Sequence, residues 1–264
     1  MRSASLQASI PRSTVHRLIR TQLRFKLYRP KQVQKLNHGD NAKRVDYCQW
    51  LLDADRNDPS PIDRIFWTNE ATFKLSGMPH RYNTYFWSEE NPHILMEKPL
   101  NTPGITVFAG MWSHGIVGPY FHYDYVNGES YLRMLTEEVV LCLQNHPVHD
   151  NMIWMQDGAP AHFSTIVRQY LHKTFDNWIG RSGKISWPQR SPDMTPCDFS
   201  MWGTIKTKVF ERQPQTDYKL KTYIVESFND LRNDIAVCKK TVRSTLARAT
   251  KCIQQNGSHF EHLL

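Results

Sequence analysis

The sequence predicts an α/β protein in which a mixed sheet is flanked by helices and preceded by a short helical segment. Three observations predict it. Apolar, strand-length stretches cluster at residues 64–75, 83–88, 104–112 and 115–123. A helical segment then separates them from "MIWM", a wholly apolar run of the kind that a strand covered on both faces requires. The remainder of the chain has helical periodicity, and the order of strands, helix, buried strand and helices is that of a mixed α/β domain.

Taken in order, residues 9–24, "SIPRSTVHRLIRTQLR", are expected to form a helix. Ser9 can cap it, Pro11 is tolerated in its first turn, and Val15, Leu18, Ile19 and Leu23 make one apolar stripe. The opposite face carries Arg12, Arg17, Arg20 and Arg24. Such a face is either a solvated basic surface or that of a recognition helix, with polar residues at base edges and arginines on phosphates. A full helix-turn-helix needs partner helices before it, and only eight residues are available. A basic linker follows, then a helix from about Asp40 to Asp53, ended by Asn57-Asp58-Pro59-Ser60-Pro61. This divides the chain into a basic helical segment (1–24), a basic linker with its helix (25–61) and the sheet domain (62–264). Within the last, Ser113-His114-Gly115 joins two strands. A helix over 128–145 presents Tyr131, Leu135, Val139 and Leu143 on one face. Helices are expected over 164–174, 198–212 and most of 216–256, the last with Leu220, Ile224, Phe228, Leu231 and Ile235 on one stripe.

The composition narrows the possibilities. With 264 residues, 40% of them hydrophobic, and eight tryptophans, the chain can bury a proper core and is not a disordered tail. Thirty-three Lys and Arg against 25 Asp and Glu leave +8, which suits a polyanionic partner without requiring one. Five scattered cysteines with no C-x-x-C speak for reduced thiols in a cytosolic or nuclear protein and against zinc. No apolar run reaches the roughly 20 residues of a membrane span, and "MRSASLQASIPRS" lacks the apolar centre of a signal peptide.

Two carboxylates stand where ligands collect. Asp157 ends the "MIWM" strand ahead of the turn Gly158-Ala159-Pro160, and strand ends of α/β sheets are where crevices form. A turn-capping role would explain it equally well. Asp198 lies two residues after Pro196 in a helix's first turn, in phase with Trp202, Ile205 and Val209 and so on the buried stripe. The helix dipole alone could account for it, yet a charge turned toward a sheet needs a partner, and a metal is one candidate. Converging carboxylates suit two-metal phosphoryl transfer, in which Mg²⁺ ions roughly 3.5–4 Å apart activate the nucleophile and stabilise the leaving oxygen.

At this point the sequence resembles the Tc-mariner transposases. The segments that carry the resemblance are "WTNEATF", Asn91-Pro92-His93, "TVFAGMWSHGIVGPYF", "MQDGAPAHF", "WIGRSGKISWPQRSPDMTPCDFSMWG" and "HFEHLL", in the family's order, from about residue 9 to the end. The resemblance implies an RNase H-like catalytic domain using Mg²⁺ or Mn²⁺, and double-stranded transposon ends as the DNA partner. It also implies a homodimer to pair two ends, and action in the nucleus. Asp157 matches the family's second catalytic Asp, and Asp198 its third, 41 positions on from 157 to 198, with extra residues around "WIGRSGK". Asp193 is expected to shape the loop. Arg12, His16, Arg17, Arg20 and Arg24 are the candidate DNA contacts.

Two departures matter. The family's first catalytic Asp is Asn69 here, in Thr68-Asn69-Glu70. An amide offers one neutral oxygen and bridges two cations poorly, so catalysis is expected to be impaired. Glu70 is expected to face the other side of the strand, and Asp63 lies about 20 Å away along it, so neither replaces Asn69. The chain also begins inside what resembles the second of two helix-turn-helix units, so weaker DNA binding is expected. Three readings remain: an impaired transposase, a non-catalytic DNA-binding remnant or domesticated protein of the same fold, and an RNase H-like nuclease.

Overall fold

The computed structural model describes residues 10–22, 33–57, 61–77, 104–123, 125–144 and 151–264. The chain forms two compact units, Met1–Val33 and Gln34–Leu264. In the first, helix α1 (Arg12–Arg17) continues as a π-helical turn, Leu18–Gln22. Thr21 Oγ1 donates to the Arg17 carbonyl at 2.7 Å. Arg17 is exposed, and the backbone at Arg12, His16 and Arg20 is helical. The expected cap Ser9 and the end at Leu23 and Arg24 lie outside the described residues.

The second unit opens with α2 (Asp40–Asn57) and a single turn, α3 (Pro61–Arg64). Strand β1 (Ile65–Lys74) then runs between an antiparallel partner, β2 (Gly104–Trp112), and a parallel one, β4 (Ile153–Met155). With β3 (Gly115–His122), β5 (Trp178–Gly180) and β6 (Ile185–Ser186) the order is β3-β2-β1-β4-β5-β6. The mixed sheet is as expected. β5 and β6, of three and two residues, had no periodic signature to announce them. The predicted strand over 83–88 and Asn91-Pro92-His93 lie outside the described residues.

Alternation along β1 feeds two cores. Ile65, Trp67 and Phe73 face one, and Phe66 the other. Phe66 demands a glycine opposite, because a Cβ at Gly110 would lie 2.1 Å from its ring. On the Phe66 side lies one long helix: α4 (Gly128–Met134), a π-turn (Leu135–Val139) and α5 (Val140–Gln144), accompanied by α6 (Thr165–Thr174). Asn127 caps α4, its side chain accepting from the backbone of Glu129 and Ser130.

On the Trp67 side are α2 and the helices after the sheet. A π-turn, Cys197–Met201, leads into α7 (Trp202–Glu211), then α8 (Asp217–Arg232) and α9 (Ile235–Gln254). The single helix expected over most of 216–256 is therefore two. Asn233 ends the first, and the side chain of Asp234 accepts from Val237 N at 3.0 Å to start the second. Leu220, Ile224, Phe228 and Leu231 are buried as expected, whereas Ile235 begins the new helix and is 55% exposed. The new helix has its own phase and buries Cys238, Val242, Ala249 and Cys252 instead. No helix among the described residues is long and apolar enough to cross a membrane.

Candidate functional site

Strand register assembles the site. β1 and β4 pair in parallel, Trp67 level with Met155. Asn69 lies two residues past Trp67 on β1, and Asp157 two residues past Met155, just beyond the end of β4. β4 and β5 pair Met155 with Ile179, and Arg181 lies two residues past Ile179. An amide on β1, a carboxylate two residues past β4 and a guanidinium directly after β5 thus gather at the strand ends, where α/β crevices form. Asp198 comes from the other direction, on the π-turn before α7, where the preceding Cys197 is fully buried and its thiol donates to the Trp67 carbonyl at 3.2 Å. Asn69, Asp157, Arg181 and Asp198 line one cleft of about 390 Å³.

Within it Asn69 Nδ2 donates to Asp198 Oδ1 at 2.8 Å, while Asn69 Oδ1 accepts from the Glu70 backbone at 2.8 Å. Both ends of the amide are engaged. Burial, followed by the charge of Asp157, pushes the Asp198 carboxyl up to about 7, although Lys206 and the Asn69 hydrogen bond oppose the shift. A carboxylate held out of water beside another carboxylate resists ionisation.

Asp157 is answered by the protein itself. His162, five residues on in "MQDGAPAHF", is buried and bonds Asp157 Oδ1 through Nδ1 at 2.6 Å and Glu70 Oε1 through Nε2 at 3.0 Å. A neutral imidazole has one N–H, so serving two carboxylates requires the imidazolium, in which both nitrogens donate. Burial works against that charge. The charge of Glu70 and the bond to Asp157 outweigh it and hold the ring's pKa at about 10. For Asp157 burial acts upward, but the His162 bond and charge prevail, and its carboxyl is held below the usual range. Tyr131 packs 4.3 Å from the imidazole ring, and Gln156 Nε2 donates to the His162 carbonyl at 2.9 Å.

Glu70 therefore corrects the expectation in part. It does lie on the opposite side of β1 from Asn69, but the loop after β4 crosses the strand ends and His162 joins Glu70 to Asp157. Glu70 was weighed from sequence and set aside, and His162 and Arg181 were not singled out; their only signal was position inside "AHF" and "WIGRSGK". Asp63 is engaged elsewhere, by Ser113 and Arg243. Asp193 does shape the loop before Asp198, with both its oxygens bonded to the buried Arg44 at 2.7 and 2.5 Å.

The donor set does not fit a pair of divalent cations. One oxygen of Asp198 is taken by an amide N–H, one of Asp157 by His162 and the Ala159 backbone, and the Asn69 oxygen by a backbone N–H. Among the described residues no group of three or more His, Cys, Asp or Glu side chains is arranged to hold a metal ion. Hard cations need several free anionic oxygens, and here the chain's own N–H groups occupy half of them.

No protein-family profile matches the sequence, and a search of curated proteins returns no match. Solved structures do match. The Mos1 transposase paired-end complex with left transposon end superposes with a TM-score of 0.77 at 19% identity, over 98% of this chain and 75% of that one. The mariner Mos1 paired-end complex with Mg gives 0.75 at 20% identity, over 98% and 75%. The catalytic domain of the Mos1 mariner transposase gives 0.65 at 18% identity, over 88% and 100%. At such identities the likeness establishes the fold. The sheet and its helices have the RNase H-like architecture of a mariner transposase catalytic domain.

Proposed function

We propose that this chain is a transposase-derived DNA-binding protein of the Tc-mariner type, whose ancestral reaction, metal-dependent DNA strand cleavage and transfer, is impaired. The observation that carries the proposal is Asn69. It lines the cleft with Asp157 and donates to Asp198 at 2.8 Å, so the position expected to supply a bridging carboxylate supplies a hydrogen-bond donor. The fold and the ordered motifs support the ancestry, as do matching structures that are complexes with transposon ends and with Mg. The partner is double-stranded DNA, taken through the candidate contacts Arg12, His16, Arg17, Arg20 and Arg24 and through the cleft. Two copies would be needed to pair two ends, and the nucleus is where that substrate is found. Mg²⁺ or Mn²⁺ would bind weakly, since one oxygen of each aspartate is already engaged.

The test compares the unaltered protein with Asn69→Asp on supercoiled plasmid in Mn²⁺. The unaltered chain should nick at least about a thousandfold more slowly, because a metal contact to the transition state is worth several kcal/mol. Asn69→Asp should also acquire a rise in unfolding midpoint on adding Mn²⁺ that the unaltered chain lacks. Robust metal-dependent cleavage by the unaltered chain would overturn the proposal.

A further inference from the structure

Among the described residues that line the cleft, Arg181 is a cation that neither the fold nor the carboxylates account for. Arg181 follows β5 in the turn Gly180-Arg181-Ser182-Gly183, within the extra residues around "WIGRSGK". The turn is closed by Gly183 N donating to the Gly180 carbonyl at 3.1 Å, and Gly180 also accepts from Trp187 N at 3.1 Å. A side chain at Gly183 would meet the Trp178 carbonyl at 2.7 Å, so the loop cannot be rebuilt casually. Parallel register places the residue after Gly180 beside Asp157.

Two contacts then fix where the side chain goes. Its stem lies over Gly158, whose Cβ position is 3.4 Å from Arg181 Cβ and Cδ. Its guanidinium carbon stands 4.0 Å from the centre of the Phe163 ring, and Arg168 stands 4.6 Å from the same ring. Stacking holds a guanidinium in plane without consuming its N–H donors. Arg168 spends one of its own on the Phe163 carbonyl at 3.1 Å, and Arg190, the other arginine lining the cleft, is paired with Asp40 at 2.6 Å. Among the described residues no carboxylate pairs with Arg181, which is exposed at the cleft.

A phosphodiester entering this cleft meets Asp157 and Asp198 without a metal pair to offset them, so a cation must face it from the protein. We infer that Arg181 is that cation: a DNA-backbone contact, held on Phe163, that binds a phosphate at the cleft independently of divalent metal. The inference rests on the DNA-binding reading above and adds a site to it.

The experiment is fluorescence anisotropy of labelled mixed-sequence duplex DNA in EDTA across a salt series, for the unaltered chain, Arg181→Ala, Arg181→Lys and Arg17→Ala. Arg181→Ala should bind several-fold more weakly and lower the magnitude of the salt slope by about 0.9, the loss of one phosphate contact. Arg181→Lys keeps the charge but not the stacked fork, so it should keep the slope and lose part of the affinity. Circular dichroism should be unchanged in both, because the side chain is exposed. An unaltered slope and affinity in Arg181→Ala, with Arg17→Ala reducing both, would overturn this inference alone. No binding by the unaltered chain would overturn the DNA-binding reading and this site with it.

Discussion

Asparagine and aspartate have nearly the same shape but differ in what they offer: the amide of Asn69 presents a neutral oxygen and an N–H donor where an aspartate presents two anionic acceptors. It donates a hydrogen bond to Asp198, which a carboxylate at this position could not do unless protonated. Donation by the protein itself recurs at His162, whose two nitrogens hold Glu70 and Asp157. Removing it leaves two carboxylates facing a third. His162→Ala should destabilise the fold by about 2–3 kcal/mol near neutrality, somewhat below the range for a fully buried pair because Asp157 opens to the cleft. The pH dependence has a definite sign. The ring's pKa rises from 6.5 in the unfolded chain to about 10 in the folded one. Its contribution is therefore complete below the lower value and is lost as pH rises through the higher. Urea unfolding of both proteins across that window should show the gap closing with rising pH; a constant gap would assign His162 a packing role only. Asn69, Asp157 and Asp198 were legible because they stand in ordered motifs. Glu70 was read as facing away, since strand alternation says nothing about a loop that crosses the strand ends.

Elements were readable in proportion to their length. Helices α6 to α9 and the long strands β1 to β3 announce themselves by periodicity, while β5 and β6 are too short to have any. They matter nonetheless, because the end of β5 sets Arg181 beside Asp157. The break between α8 and α9 was hidden for a related reason: the apolar stripe continues numerically to Ile235, and only capping reveals the stop. Asp234 supplies that cap, accepting from Val237 N. Asp234→Ala should lower stability by about 1 kcal/mol, with Asp234→Asn close to unaltered, measured by urea unfolding. An alanine variant as stable as the parent would mean that packing alone sets the break.

At the scale of the molecule, α2 anchors the loop of Arg190, Ser191 and Pro192 that lines the cleft. Arg44, fully buried, forks onto Asp193 and also bonds Ser191 and the Gly257 carbonyl, each at 2.8 Å. Asp40 from the same helix takes Arg190 through two bonds of 2.6 Å. The loop that carries the chain toward Asp198 is thus pinned at two arginine–aspartate pairs. Arg44→Ala should cost about 3–5 kcal/mol by stranding the Asp193 charge, and Arg44→Lys should recover only part, lacking the fork. Denaturant unfolding decides this; a loss under about 1 kcal/mol would show the loop to be held by other means.

By itself the sequence determined the class of fold, the order of its principal elements and the three positions around which a site would form. Each of these depends on local periodicity or on motifs whose residues lie close together in the chain. Tertiary structure alone decided how the charges are balanced: His162 on Asp157, Asn69 on Asp198, Arg181 at the cleft, Arg44 behind it. Those pairings join residues up to 149 positions apart, as Arg44 and Asp193 do. Electrostatic balance depends on distances through space and on exclusion of water, and neither is written in the spacing of a linear chain.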